Sequence, residues 1–219
     1  MIRICGLGVN PPAETTLETL QILGACRVVY CEIADKKVFD WLKGYCKKVA
    51  RPKSAAEIVK AAKGGEDVGV AVWGHPEFSS RLAREVQLKC RKARVPFRVA
   101  GAISPIGSAF ARSVSFLGGD YGYQGIQAYE LETLLGDSKV LVTRLPLVVY
   151  AESAPKRSWD KLFALLKERY PKDREVRLYA AGAHEKVSSV ARLSSAAIDG
   201  GVVLVAAPIA PASTAPSPE

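Results

Sequence analysis

Three short segments gather glycine and proline in a way that suits close contact with a small molecule: Gly6-Leu7-Gly8-Val9-Asn10-Pro11-Pro12, Gly74-His75-Pro76-Glu77-Phe78 and Gly101-Ala102-Ile103-Ser104. Glycine lets a backbone approach a ligand closely, and proline holds a loop in shape before anything binds. In an open α/β sheet such loops join strand to helix at the carboxyl ends of the strands and expose backbone groups to a ligand there. Proton carriers are few. The chain has two histidines; His75 reads first as a loop former bonded to backbone ahead of Pro76, and second as a proton carrier. His184, after Gly182, reads as a loop-tip residue. Arg51, Tyr30, Tyr121, Tyr123 and Tyr129 could each assist a reaction, and Tyr121 with Tyr123 form the favoured pair because they fall in a glycine-rich linker.

Other chemistries lack a foothold. Gly6 and Gly8 start a dinucleotide fingerprint, but that motif needs a further glycine opening a helix toward the pyrophosphate, and Pro11-Pro12 stands there instead. No G-x-S-x-G elbow and no P-loop lysine motif occurs, which removes the common hydrolase and phosphotransferase signatures. With two histidines, no H-E-x-x-H and no pair of C-x-x-C motifs, no bound metal is expected. Cys5, Cys26, Cys31, Cys46 and Cys90 are odd in number and read as buried reduced thiols. Lys and Arg outnumber Asp and Glu by 31 to 22, and the net charge of +9 favours an anionic partner, such as a polycarboxylate or an acidic peptide. Nucleic acid is not the expected partner, because the densest basic cluster, Lys89 to Arg98, lacks interleaved aromatics and reads as a solvated helix end. No apolar run approaches the roughly 20 residues that span a bilayer, and the first residues lack the pattern of a secretory signal, so a cytoplasmic protein is expected.

The elements that must position these loops follow from the apolar pattern. At 219 residues and 48% apolar, the chain is long enough for one large or two compact domains. Residues 2–7, 27–33, 68–73 and 97–100 read as strands, while 16–24, 55–63, 80–93 and 105–117 read as helices. Thr15 and Glu18 have capping-box spacing for the first helix. Strands apolar on both faces that alternate with helices predict an α/β layer with a mainly parallel sheet. Beyond Gly118-Gly119 the texture changes, with strands expected at 140–143, 147–150, 176–180, 187–191 and 202–206 and helices at 158–170 and 194–199. More strands per helix predict a mixed sheet. The expected division is 1–120, 121–207 and a flexible tail over 208–219, which holds four prolines in twelve residues.

Taken in order, the Gly6 loop, the Thr16-Leu17-Glu18-Thr19-Leu20 helix, the Cys26-Arg27-Val28-Val29-Tyr30 strand, the strand ending in Gly74-His75-Pro76 and the strand, loop and helix through Ile103-Ser104-Pro105 resemble the tetrapyrrole methylase family. These are class III S-adenosylmethionine-dependent methyltransferases. The resemblance implies two α/β domains, the first with a mainly parallel and the second with a mixed sheet, a cofactor cleft between them and a homodimer. Carried over by position, it implies that Gly74, His75, Pro76 and Phe78 line the cofactor site, with Ile103 and Ser104 in the facing loop. Arg144, Leu145 and Pro146, then Ala181 and Gly182, match donor-contacting positions of the second half. Most of the family has Asp where this chain has His75, and Gly-His-Pro resembles the borosin-type peptide α-N-methyltransferases instead. Those relatives carry a helix with spaced Tyr and Arg before that strand, whereas the stretch from Ala50 to Lys60 holds Arg51 and no tyrosine. The expectation is therefore a methyltransferase acting on an anionic or peptide acceptor. Peptide-backbone methylation is the leading reading, C-methylation of a carboxylated tetrapyrrole the alternative, and a non-catalytic scaffold of the same fold the third.

Overall fold

The computed structural model describes residues 1–109, 111, 125–151, 154–180, 185–198 and 202–206. The chain divides into two compact units, Met1–Ser108 and Ala109–Glu219. The linker in which a boundary after residue 120 is expected and the tail from 208 lie outside the described residues.

In the first unit, β1 (Ile2–Gly6), β2 (Val28–Cys31), β3 (Val49–Ala50), β4 (Val68–Val72) and β5 (Phe97–Val99) form a five-stranded sheet in the order β3-β2-β4-β1-β5. Every pairing is parallel. Side chains alternate between two separate cores, as a period of two requires. Ile2, Ile4, Val28, Tyr30, Val68, Val70 and Val72 pack with Ile58 and Val86 of the helices Ala55–Lys63 and Arg81–Ala93. Cys5, Val29, Cys31 and Ala71 face the other way, onto Leu23 of Leu17–Ala25 and Val38 and Leu42 of Lys36–Lys43. A one-residue slip of β4 would exchange three buried valines for Gly69 and Ala71. At about 2 kcal/mol per buried valine, that exchange is enough to hold the register Ile2↔Val68.

These two cores also fix where a ligand can sit. The crossovers leaving β1 and β2 run over one face of the sheet, and those leaving β3 and β4 run over the other. Because β1 and β4 are neighbours, their connections part to opposite sides, the topological condition for a ligand crevice beyond their carboxyl ends.

Local differences from expectation have physical causes. The first helix is capped by Thr16, whose side chain accepts from the Thr19 N–H at 3.2 Å, not by Thr15. Thr15 instead donates its hydroxyl to the Leu7 carbonyl at 2.7 Å, tying the helix entrance to the loop after β1. The helix Lys36–Lys43 and the two-residue β3 have no counterpart among the expected elements. The helix buries Val38 and Leu42 fully and packs Phe39 and Trp41 partly against the same core, between charged residues and with Asp35 as its cap.

The second unit holds a mixed sheet of β6 (Gln127–Glu130), β7 (Leu147–Ala151), β8 (Glu175–Ala180), β9 (Glu185–Ser189) and β10 (Val202–Ala206), ordered β6-β7-β10-β8-β9. The pair β6 and β7 is parallel and the others are antiparallel. Trp159, Leu162, Phe163 and Leu166 of the helix Lys156–Arg169 cover one face. The strand expected at 140–143 is absent: Ser138–Val140 is a 3-10 turn, and Val140 and Val142 are exposed, leaving only Leu141 inside. The edge position belongs to Gln127–Glu130, whose polar sequence gives little strand signal. Buried Gln127 accounts for this, because its side chain serves the 142–145 turn: Nε2 donates to the carbonyls of Val142 and Leu145, and Oε1 accepts from the Val142 N–H. No helix among the described residues is long and apolar enough to cross a membrane.

Candidate functional site

The carboxyl ends of β1, β4 and β5 lie side by side, so the loops that follow them meet. Gly6 marks the meeting point. A Cβ there would stand 2.0 Å from the Gly74 carbonyl, 2.6 Å from the Ala102 methyl and 3.0 Å from Pro76 Cδ, one atom from each of the other two loops and a second from the Gly74 loop. Only glycine fits. Gly8, at φ +77°, and Gly74, at φ +64°, adopt the left-handed conformation that side chains resist. They form a local antiparallel bridge in which the Gly74 N–H donates to the Gly8 carbonyl at 2.9 Å. Trp73 Nε1 adds a bond to the Val9 carbonyl at 3.1 Å.

After Gly74 the chain turns straight into a one-turn helix, Pro76–Ser79. Proline suits its first position, where no N–H partner exists, and His75 is the cap: its Nδ1 accepts from the Glu77 N–H at 3.2 Å. Only an unprotonated Nδ1 can accept, so this bond places the ring proton on Nε2. In the third loop Ser104 caps the helical residues that start at 105, with its Oγ accepting from the Gly107 N–H at 2.9 Å. Ile103, just before it, exposes an apolar side chain.

Two residues here carry roles that the sequence does not announce. Glu14 accepts at Oε2 from the N–H groups of both Val9 and Asn10, at 3.0 and 3.1 Å. Its Oε1 accepts from the Ser108 hydroxyl at 2.9 Å. Ser80, buried, caps the helix Arg81–Ala93 through Ala83 and donates to Glu32 Oε2 at 2.8 Å, joining the ends of β4 and β2. The occupied amides at Val9 and Asn10 decide what the crevice can hold. A phosphate would have to displace the Glu14 carboxylate and face its charge, so the loop is unfit for a pyrophosphate and suits a nucleoside without one.

The remaining expected site residues fall elsewhere. Arg51 lies at the carboxyl edge of β2 and β3, donating to the carbonyls of Cys31, Ile33 and Ala34 and stacking 4.3 Å over the Phe39 ring. It helps line an open groove of about 410 Å³ with Cys31, Glu32, Ala34, Pro52 and Leu82. Tyr30 is buried in the core, where burial raises its pKa, and the Tyr129 hydroxyl donates to the Val140 carbonyl at 3.3 Å. Arg144, Leu145 and Pro146 belong to the second unit, in the turn that Gln127 holds. Tyr121, Tyr123, Ala181, Gly182 and His184 lie outside the described residues. All five cysteines are free and buried, and burial pushes the thiol of Cys5 up to about 12 and that of Cys46 to about 11. Among the described residues no cluster of three His, Cys, Asp or Glu could hold a metal ion.

The family model for Tetrapyrrole (Corrin/Porphyrin) Methylases matches residues 1–197. The chain belongs to that family. A comparison with curated protein sequences gives no match. Among solved structures, the cobalamin biosynthetic enzyme cobalt precorrin-4 methyltransferase, CbiF, is similar at a TM-score of 0.70 and 16% identity over 94% of each chain. The uroporphyrin-III-C-methyltransferase of Thermus thermophilus matches at a TM-score of 0.67 and 21% identity, over 94% of this chain and 93% of that one. A Thermus thermophilus uroporphyrin-III C-methyltransferase complexed with S-adenosylhomocysteine matches at 0.64 and 16% identity, over 93% of this chain and 96% of that one. At these identities the structural likeness carries the fold, and the family model carries the membership. As a tetrapyrrole methylase, the chain has the all-parallel and mixed sheets that the family resemblance implies.

Proposed function

We propose that this tetrapyrrole methylase is an S-adenosylmethionine-dependent C-methyltransferase whose acceptor is a carboxylated tetrapyrrole of the corrin or porphyrin precursor type. The observation that carries the reading is the family match over residues 1–197, together with a switch-point crevice closed to phosphate by Glu14. S-adenosylmethionine is a nucleoside without phosphate, so the residues present fit it. When bound, it supplies an electrophilic methyl on a sulfonium. The chain's part is then to align and to exclude water, since an electron-rich ring carbon needs little beyond positioning. Gly74, His75, Pro76 and Phe78 with Ile103 and Ser104 are the residues proposed to hold the donor in the first unit. Arg144, Leu145, Pro146, Ala181 and Gly182 are proposed for the second.

The net charge of +9 suits an acceptor bearing several carboxylates, and Arg51 at its groove is a proposed contact for one of them. The two solved uroporphyrin-III C-methyltransferases and CbiF favour this acceptor class over a peptide backbone, for which only the Gly-His-Pro tripeptide speaks. A cytoplasmic homodimer remains part of the proposal. The test is incubation with S-adenosylmethionine and either carboxylated tetrapyrrole precursors or short peptides, followed by mass spectrometry. A methyl mass gain on a tetrapyrrole is the expected result. A gain confined to peptides would overturn the acceptor class, and donor binding without transfer to either would leave the scaffold reading.

A further inference from the structure

We infer that Glu14 is a positioning residue for the donor site, a single carboxylate that ties the loop after β1, itself fastened to the second loop by Gly74 and Trp73, to the helix that follows the third loop. The loop after β1 is held at both ends of its turn. Its Gly8 and Val9 carbonyls are taken by Gly74 and Trp73, which fasten it to the second loop. Its Val9 and Asn10 N–H groups are taken by Glu14 Oε2. The other carboxylate oxygen reaches Ser108, buried in the helix that follows the third loop and 94 positions away in the chain. Glu14 also packs on the open face of Gly8, where a Cβ would lie 2.6 Å from the Glu14 carbonyl and 2.8 Å from its Cβ. A further bond, from the Glu14 N–H to the Asn10 carbonyl at 3.1 Å, closes residues 10–14 into a turn and aims the side chain back at its own loop.

The chemistry explains why a carboxylate serves here. Three donors converge on one group, and an ionised carboxylate offers two oxygens with about four lone-pair sites, each bond being charge-assisted. Glutamine keeps part of this: its oxygen can face the two amides while its NH₂ donates to the Ser108 oxygen. Alanine keeps none. Freed of Glu14, the Val9 and Asn10 amides turn to water, and the loop loses its tie to the third loop while keeping those to the second.

The inference rests on the proposed donor site, and the test separates the two. Binding of S-adenosylhomocysteine is measured by calorimetry at low temperature, where each variant is folded by circular dichroism, for the wild type, Glu14→Ala, Glu14→Gln and Ser108→Ala. The expected result is at least a tenfold weaker Kd for Glu14→Ala, a value within about threefold of wild type for Glu14→Gln, and an intermediate one for Ser108→Ala. A purely structural role would lower the thermal midpoint of the free protein and leave these affinities together. Equal binding by wild type and Glu14→Ala overturns the inference alone. A glutamine variant as weak as the alanine one also overturns it, by showing that charge rather than the bonding pattern matters. Should Glu14→Ala not fold, Ser108→Ala decides, because wild-type affinity there means the tie to the third loop has no role. Absence of binding by the wild type overturns the donor site itself.

Discussion

Gly6 sits in the tightest space of the described glycines, because backbone from one loop and side chains from two fill the space around its Cα. Gly6→Ala is expected to lower stability by about 3 kcal/mol in urea denaturation, the upper end for overpacking, since the nearest atom is a carbonyl oxygen and not a movable side chain. Gly136→Ala is the contrast: nothing lies within 4 Å of its would-be Cβ, and loss of unfolded-chain entropy should raise stability by up to about 1 kcal/mol. Equal effects from the two would contradict this picture of a crowded junction. At this scale the sequence is half legible. Gly6, Gly8, Gly74 and Pro76 stand out by type, because few residues can do what glycine and proline do. Glu14 does not, because a carboxylate before a helix is ordinary and its bond to Ser108 spans most of the first unit. Arg51 is legible as an interesting residue but not as a clamp on three carbonyls, since backbone acceptors leave no mark on a sequence.

Among the elements, β2 and β4 are plain in the sequence because both faces are buried, whereas the two-residue, half-buried β3 is not. The edge of the second sheet is not plain. There a polar segment, Gln127–Glu130, takes the ladder position while the apolar Val140-Leu141-Val142 stays a turn, so tertiary context overrides strand propensity. Gln127 holds that arrangement with three bonds from one buried amide. Gln127→Leu keeps the volume but leaves the Val142 N–H and the Leu145 carbonyl without the partners Gln127 gives them, and the Val142 carbonyl with the Leu145 N–H alone. A loss of about 2–3 kcal/mol is expected, with faster amide exchange at Val142 before global unfolding. Unchanged stability and exchange would show that the turn stands without it.

For the whole molecule, burial of titratable groups sets an alkaline limit. Burial drives the thiols of Cys5 and Cys46 up from 9.0 to about 12 and about 11, neighbouring thiols adding to the effect in each. Burial likewise drives the Tyr170 hydroxyl up from 10.0 to about 12, against the lowering influence of Arg174. In each case the unfolded chain releases its proton first, so the stabilisation is complete below about pH 9 and is lost as pH rises toward 12. Denaturant midpoints should fall steadily across that window, and the thiols should resist modification at pH 8 until the protein unfolds. Flat midpoints through pH 12 would contradict the burial of these groups.

The two-unit layout and the placing of the crevice at the β1 and β4 ends follow from the order of strands and helices, which is why the family resemblance is legible in the sequence. The proposed acceptor leaves a weaker trace, since recognition of a ring carbon would need shape more than any particular side chain. The most direct measurement of the central claim is calorimetric titration with S-adenosylhomocysteine and, in parallel, with NAD. Saturable one-to-one binding of the first and none of the second is the predicted result; no heat from the first at millimolar concentration, or binding of the dinucleotide in its place, would contradict it.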